Sequence, residues 1–135
     1  MPHSIENNYI GDLRTKSTHL KSGDIIITDA PTDNNGKGHA FSPTDLVASA
    51  LCSCMTTVMG ICAEMNQFDL PKSIANVTKI MSSQPRRISK IIIEINFEEN
   101  NLNNQQIEKL IAVAKGCPVA QSLSSDLTQE VKFNF

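Results

Sequence analysis

The chain has 135 residues, with 12 basic and 14 acidic side chains and a net charge of −2. That balance gives no electrostatic reason to expect nucleic acid or an anionic membrane as a partner. Hydrophobic residues make up 40% but aromatics only 4%, with no Trp, so the core must be aliphatic and aromatic platforms for stacking bases are not expected. The length predicts one domain over residues 1–135. No unbroken apolar run reaches the roughly 18 residues of a membrane span. The opening twelve residues lack the basic start and apolar middle of a signal peptide, so a cytoplasmic location is the expectation. Thiols are kept reduced there, so four cysteines point to catalysis, redox sensing, metal or packing before structural disulfides.

Residues 1–8 read as a loose start. From 9 to 20, β-favouring and polar residues alternate with little apolar pattern, which fits a strand pair or one long strand. Ser22-Gly23 signals a turn, and Ile25, Ile26 and Ile27 mark the returning strand. Residues 29–41 hold Pro, Gly and Asn and break all periodicity, so they form a long loop. Residues 42–67 then read as one long helix. Ser42 is suited to cap it, Pro43 to occupy its first position, and Asp45 to face its positive end. Val47, Leu51, Cys54, Val58, Ile61, Cys62 and Met65 recur on one stripe, with Ser49, Cys52, Ser53, Thr56 and Thr57 opposite. Such a helix, small or apolar nearly all round, belongs inside a structure.

Asp69-Leu70-Pro71 stops the helical pattern. Residues 73–82 predict a strand, Gln84-Pro85 a turn, and 88–97 the clearest strand, with Ile91, Ile93, Ile95 and Phe97 on one face. Residues 105–115 form a second helix ended by Gly116. Cys117-Pro118 opens a short helical piece, and 127–135 closes as a strand. The order βββ-α-ββ-α-α-β is an α+β domain with small antiparallel sheets around a long central helix.

The cysteines separate by position. Cys52 and Cys54 lie about 200° apart on a helix and cannot bridge within it. A C-x-C pair on a helix is a poor metal claw, the three histidines are scattered, and no metal or cofactor is expected. Cys62 and Cys52 suit packing. Cys54 is either a small core residue or a working thiol. A thiolate three turns into a helix is beyond the reach of the helix N-terminus, and burial disfavours it, so it needs a cation from elsewhere: Arg14, Arg86 or Arg87. Cys117, just before Pro118, either packs inward or gains from free N–H groups at a helix start.

The segment Ser42-Pro43-Thr44-Asp45-Leu46 through Ser53-Cys54-Met55 resembles the N/S-P-x-x-L…C signature of the OsmC/Ohr family of thiol peroxidases. Cys54 stands eleven residues after Pro43, where that pattern has its peroxidatic Cys. Cys117-Pro118-Val119 is similar to the family's second motif, and the resemblance covers nearly the whole chain. Tyr9-x-Gly11-x-Leu13-Arg14, Thr28-Asp29-Ala30-Pro31 and Pro85-Arg86-Arg87-Ile88 look typical of one branch. The resemblance implies that Cys54 attacks an organic hydroperoxide and becomes a sulfenic acid. It further implies that Cys117 condenses with it to a disulfide, and that an external dithiol reduces that bond. It implies Arg14 as stabiliser of thiolate and peroxide, and an intertwined homodimer with active sites between chains. The family's Glu after the motif Pro, which orients the Arg, is here Thr44. Asp45 is the candidate substitute, about 100° round the helix.

Two other classes compete. A ligand-binding or stress-associated protein of the same fold without catalysis would fit Thr44. A KH-type RNA module would fit the β-β-α run, but there is no G-x-x-G loop and no basic face.

Overall fold

The computed structural model describes residues 2–135. It contains two compact units, Met1–Leu46 and Val47–Phe135.

The first unit is an antiparallel sheet of β1 (Ile5–Gly11), β2 (Arg14–His19) and β3 (Ile25–Asp29), in that order. The first strand begins at Ile5, inside the stretch expected to be loose. Its side chains Ile5 to Ile10 are all exposed, so backbone pairing with β2, rather than an apolar pattern, makes it a strand. The β1–β2 turn puts Gly11, Asp12 and Leu13 in left-handed backbone, with φ of 87°, 55° and 63°. Leu13 is the costly member. Its N–H donates to the Tyr9 hydroxyl at 3.3 Å, and its carbonyl accepts from the Ala30 N–H at 3.1 Å.

The loop after β3 is ordered by its own backbone. A 3-10 turn covers Thr32–Asn34, and the Gly36 N–H donates to the Pro31 carbonyl at 2.9 Å. A Cβ on Gly36 would sit 1.6 Å from the Ala30 carbonyl oxygen, so only glycine fits that close approach. Phe41 returns alongside Thr28.

The chain then enters α1 (Pro43–Met65). Ser42 and Asp45 cap it reciprocally: Ser42 Oγ accepts from the Asp45 N–H at 3.1 Å, and Asp45 Oδ2 accepts from the Ser42 N–H at 3.0 Å. An 18-residue window of this helix has a mean hydropathy of 1.9. By length and composition it is therefore apolar enough to cross a membrane. Counting unbroken apolar runs missed this, because single Ser and Thr residues interrupt a helix whose average is still apolar.

In the second unit, β4 (Ser73–Ser83), β5 (Arg86–Phe97) and β6 (Thr128–Asn134) form a sheet in that order. β4 and β5 are antiparallel. β6 runs parallel to β5, a departure from the all-antiparallel expectation. The cause is the connection: α2 (Asn104–Lys115) and α3 (Pro118–Ser122) carry the chain back along the sheet, as parallel neighbours require. Asn103 and Gln106 form a capping box at the start of α2. Ile91, Ile93 and Ile95 are fully buried, as their alternation predicts, together with Leu110 and Ala114 of α2.

The helix α1 packs on this core with Ala48, Leu51, Cys52, Met55, Met59 and Ala63. That is not the expected stripe. Of the stripe Val47, Leu51, Cys54, Val58, Ile61, Cys62 and Met65, only Leu51 is buried, and Ile61 and Met65 are exposed. With apolar or small residues on nearly every side, periodicity does not fix which face turns inward. The partners that fit the isoleucine sheet are the slim alanines and the two flexible methionines.

Candidate active site: a pair of thiols

All four cysteines are free thiols. Cys52 and Cys54 leave α1 in different directions, as their spacing requires. Cys52 is buried in the core, and burial pushes its thiol up, partly offset by a hydrogen bond from Thr56. Thr56 Oγ1 also donates to the Cys52 carbonyl at 3.0 Å. Cys54 is half-buried at the edge of the core cluster. Cys62 is likewise half-buried, beside the Asn66 amide at 3.7 Å.

Cys117 meets Cys54. It follows α2 directly, caps α3 with Pro118 at the first helical position, and is 1% exposed. The Ala120 N–H donates to its Sγ at 3.4 Å. Gln129 of β6 holds this short helix, donating from Nε2 to the Ala120 carbonyl at 3.1 Å. The Cys117 thiol lies close enough to Cys54 for the two groups to influence each other's ionisation. Its pKa is pushed up, first by burial and then by Cys54, against the lowering effect of the Ala120 and Val119 N–H groups. A raised thiol favours the protonated form, so Cys117 keeps its proton through neutral pH. A half-buried thiol beside a protonated, fully buried one is an arrangement in which the first can be oxidised and the second can condense with it. A cavity of about 390 Å³ in the same unit is lined by Met55, Lys115, Gln129, Glu130 and Val131; neither thiol lines it.

The cation candidates are the three arginines. Arg87 donates from its guanidinium to the Asp126 carbonyl at 3.4 Å, and Arg86 is exposed at the start of β5. Arg14 opens β2, opposite Asp29 of β3. Its Nε is buried with no hydrogen-bond partner, and so is Asp29 Oδ1. Each such atom costs about 1–3 kcal/mol when left unpaired. Asp45, the other acidic candidate, spends Oδ2 on the cap of α1. Thr44 hydrogen-bonds through its hydroxyl to Ser42 Oγ at 3.2 Å. No cluster of three or more His, Cys, Asp or Glu among the described residues could hold a metal ion. Sequence reasoning gave Asp29 no role; a lone Asp at a strand end looks like turn chemistry until its burial is seen.

A family model of OsmC-like proteins matches residues 36–132. The chain belongs to the OsmC-like family. This OsmC-like chain is 44% identical to a protein of Psychrobacter arcticus 273-4, provisionally named an osmotic stress induced and detoxification response protein. The match covers 99% of this chain and 97% of that one, with a TM-score of 0.93. An OsmC-like protein of Mycoplasma pneumoniae shares 20% identity over 99% and 96% of the two chains, at a TM-score of 0.80. OhrB of Bacillus subtilis, an organic hydroperoxide resistance protein, shares 12% over 98% of both chains, at a TM-score of 0.68. These last two likenesses establish the OsmC fold alone. Among curated proteins, none matches the sequence.

Proposed function

We propose that this protein serves peroxide-stress defence as a thiol-dependent peroxidase for organic hydroperoxides. The observation that carries the reading is the proximity of the Cys54 and Cys117 thiols; family membership and the hydroperoxide-resistance names of fold neighbours support it. The Cys54 thiolate attacks the distal peroxide oxygen. The O–O bond breaks, the alcohol leaves after taking a proton, and Cys54 becomes a sulfenic acid. The Cys117 thiol then attacks the Cys54 sulfur, its proton leaves with the hydroxyl as water, and a Cys54–Cys117 disulfide forms. An external dithiol reduces it by two exchange steps and is itself oxidised to a disulfide. No cofactor is required.

Arg14 is the cation this reading assigns to the thiolate and peroxide, and residues 1–135 act as one domain; the family match at 36–132 crosses the boundary between the two units. The working form is a homodimer. Ile5, Tyr9, Ile10, Leu13, Ile25 and Ile26 in the first unit are all large and exposed, a load that a soluble monomer rarely carries. The reading also places the protein in the reducing cytoplasm, where a dithiol is at hand.

Consumption of cumene hydroperoxide with dithiothreitol tests the chemistry. Cys54→Ser should lose roughly 10³-fold or more, to background, while Cys52→Ser stays close to wild type. One equivalent of peroxide should remove two hydrogens from the mass, mapped to Cys54–Cys117. Equal and full activity in both serine variants would end the reading. A second reading, a binding protein of the same fold without catalysis, is favoured by Thr44, whose hydroxyl stands where the resemblance expects a carboxylate. Peroxide that leaves Cys54 unmodified would select it.

A further inference from the structure

We propose that Asp29 is the positioning residue of Arg14, holding the guanidinium through a pairing of Asp29 Oδ1 with Arg14 Nε. This rests on the reading of Arg14 as the peroxidase cation for its consequence, though not for the contact itself. Arg14 and Asp29 are directly opposed on β2 and β3. Directly opposed residues point to the same face of a sheet, with Cβ atoms about 4.5–5.5 Å apart, within easy reach of a long side chain. Arg14 Nε and Asp29 Oδ1 are the buried side-chain polar atoms without a hydrogen-bond partner among the described residues. One is a donor on a cation and the other an acceptor on an anion.

The rest of Asp29 is already held. Its N–H donates to the Phe41 carbonyl at 3.1 Å, and its Oδ2 accepts from the His39 N–H at 3.0 Å. It is 1% exposed. The carboxylate therefore presents Oδ1 from a fixed frame. On the other strand, Leu13 is tied to Ala30 beside the same pair at 3.1 Å, so the two backbones cannot slide apart there. A flexible Arg docked through Nε onto such a carboxylate is held at its base and still has two terminal nitrogens for other partners. Asp45 is less suited, since its Oδ2 belongs to the cap of α1. A purely structural Asp29 would staple the loop through His39 and leave Arg14 alone, and the test separates the two.

The measurement is side-chain NMR of the ¹⁵N-labelled full-length protein, with the Arg14 Nε–H signal assigned by its loss in Arg14→Lys. In the wild type this proton should exchange about tenfold or more slower than that of free arginine in the same buffer. Asp29→Asn keeps an oxygen for the His39 N–H but can present an amide to Arg14. It should melt close to wild type, raise the Arg14 exchange rate about tenfold, and lower kcat/KM for cumene hydroperoxide by about tenfold. Asp29→Glu should recover part of both. Combined with Arg14→Lys, Asp29→Asn should add little further loss. Wild-type Arg14 exchanging as fast as free arginine, or an Arg14 signal unmoved by Asp29→Asn, overturns the proposal, and the wild-type rate decides it even if the variant fails to fold. If the pairing is found but Arg14→Lys stays fully active, the contact stands and the peroxidase role of Arg14 falls.

Discussion

Among the described residues, every buried side chain in the unit up to Leu46 is polar: Thr28, Asp29 and Ser42. Every buried one from Val47 onward is apolar or a cysteine. The second unit has an interior of its own, made of Ile91, Ile93 and Ile95 against Leu51, Met55, Met59 and Leu110. The first has ladders and fixed polar groups but no oil. Strand pairing and polar contacts specify geometry well, but a three-stranded sheet with no buried apolar face gains little free energy from them alone. The contrast teaches that apolar stability and polar positioning are divided along the chain.

Substitutions can break that contrast. Leu51→Ala should destabilise the protein by about 2–5 kcal/mol in urea titration, as a buried leucine deletion does. Ile26→Ala, at 45% exposure, should cost roughly 0.5 kcal/mol or less. An Ile26 loss as large as that of Leu51, growing on dilution, would mean that a second copy covers this sheet. Ser42→Ala should cost about 1 kcal/mol by removing the α1 cap, a polar contribution of the first unit read by the same titration.

The smallest effect is with pH. Burial raises the Cys52 and Cys117 thiols, so the folded protein favours their protonated forms. Their contribution is complete below the ordinary thiol range. Above about pH 8.5 the unfolded chain ionises first, and stability should fall as pH rises toward the higher folded values. Urea midpoints from pH 7 to 10 should show that decline, and Cys117→Ser should flatten part of it.

The same division explains what was legible in the sequence. β5 could be read from its isoleucines, because one face meets a core and the period is two. The start of α1 could be read from Ser42 and Pro43, because capping is local chemistry. The rotation of α1 could not: a helix with apolar or small residues on most sides gives no contrast for a stripe to show. β1 was obscured because Asn7 and Asn8 join a strand through the backbone alone. The parallel course of β6 depends on where α2 and α3 lead the chain. Cys54 and Cys117 were legible as motifs, while their closeness depends on the tertiary fold and was not. The burial of Asp29 was not legible, since it follows from Phe41 and His39 returning across a loop.

The two sulfurs also differ in what carries them. Cys54 is fastened to an unbroken rod of 23 residues, with no joint near it. Cys117 sits at an elbow: α2 ends at Lys115, Gly116 and Cys117 lie outside both helices, and α3 begins at Pro118. Of the two, only the Cys117 side has a bend to give. In mechanical terms α1 is the post and the elbow is the joint, and the Gln129 contact to the Ala120 carbonyl is the tie that holds the short α3 helix beside it.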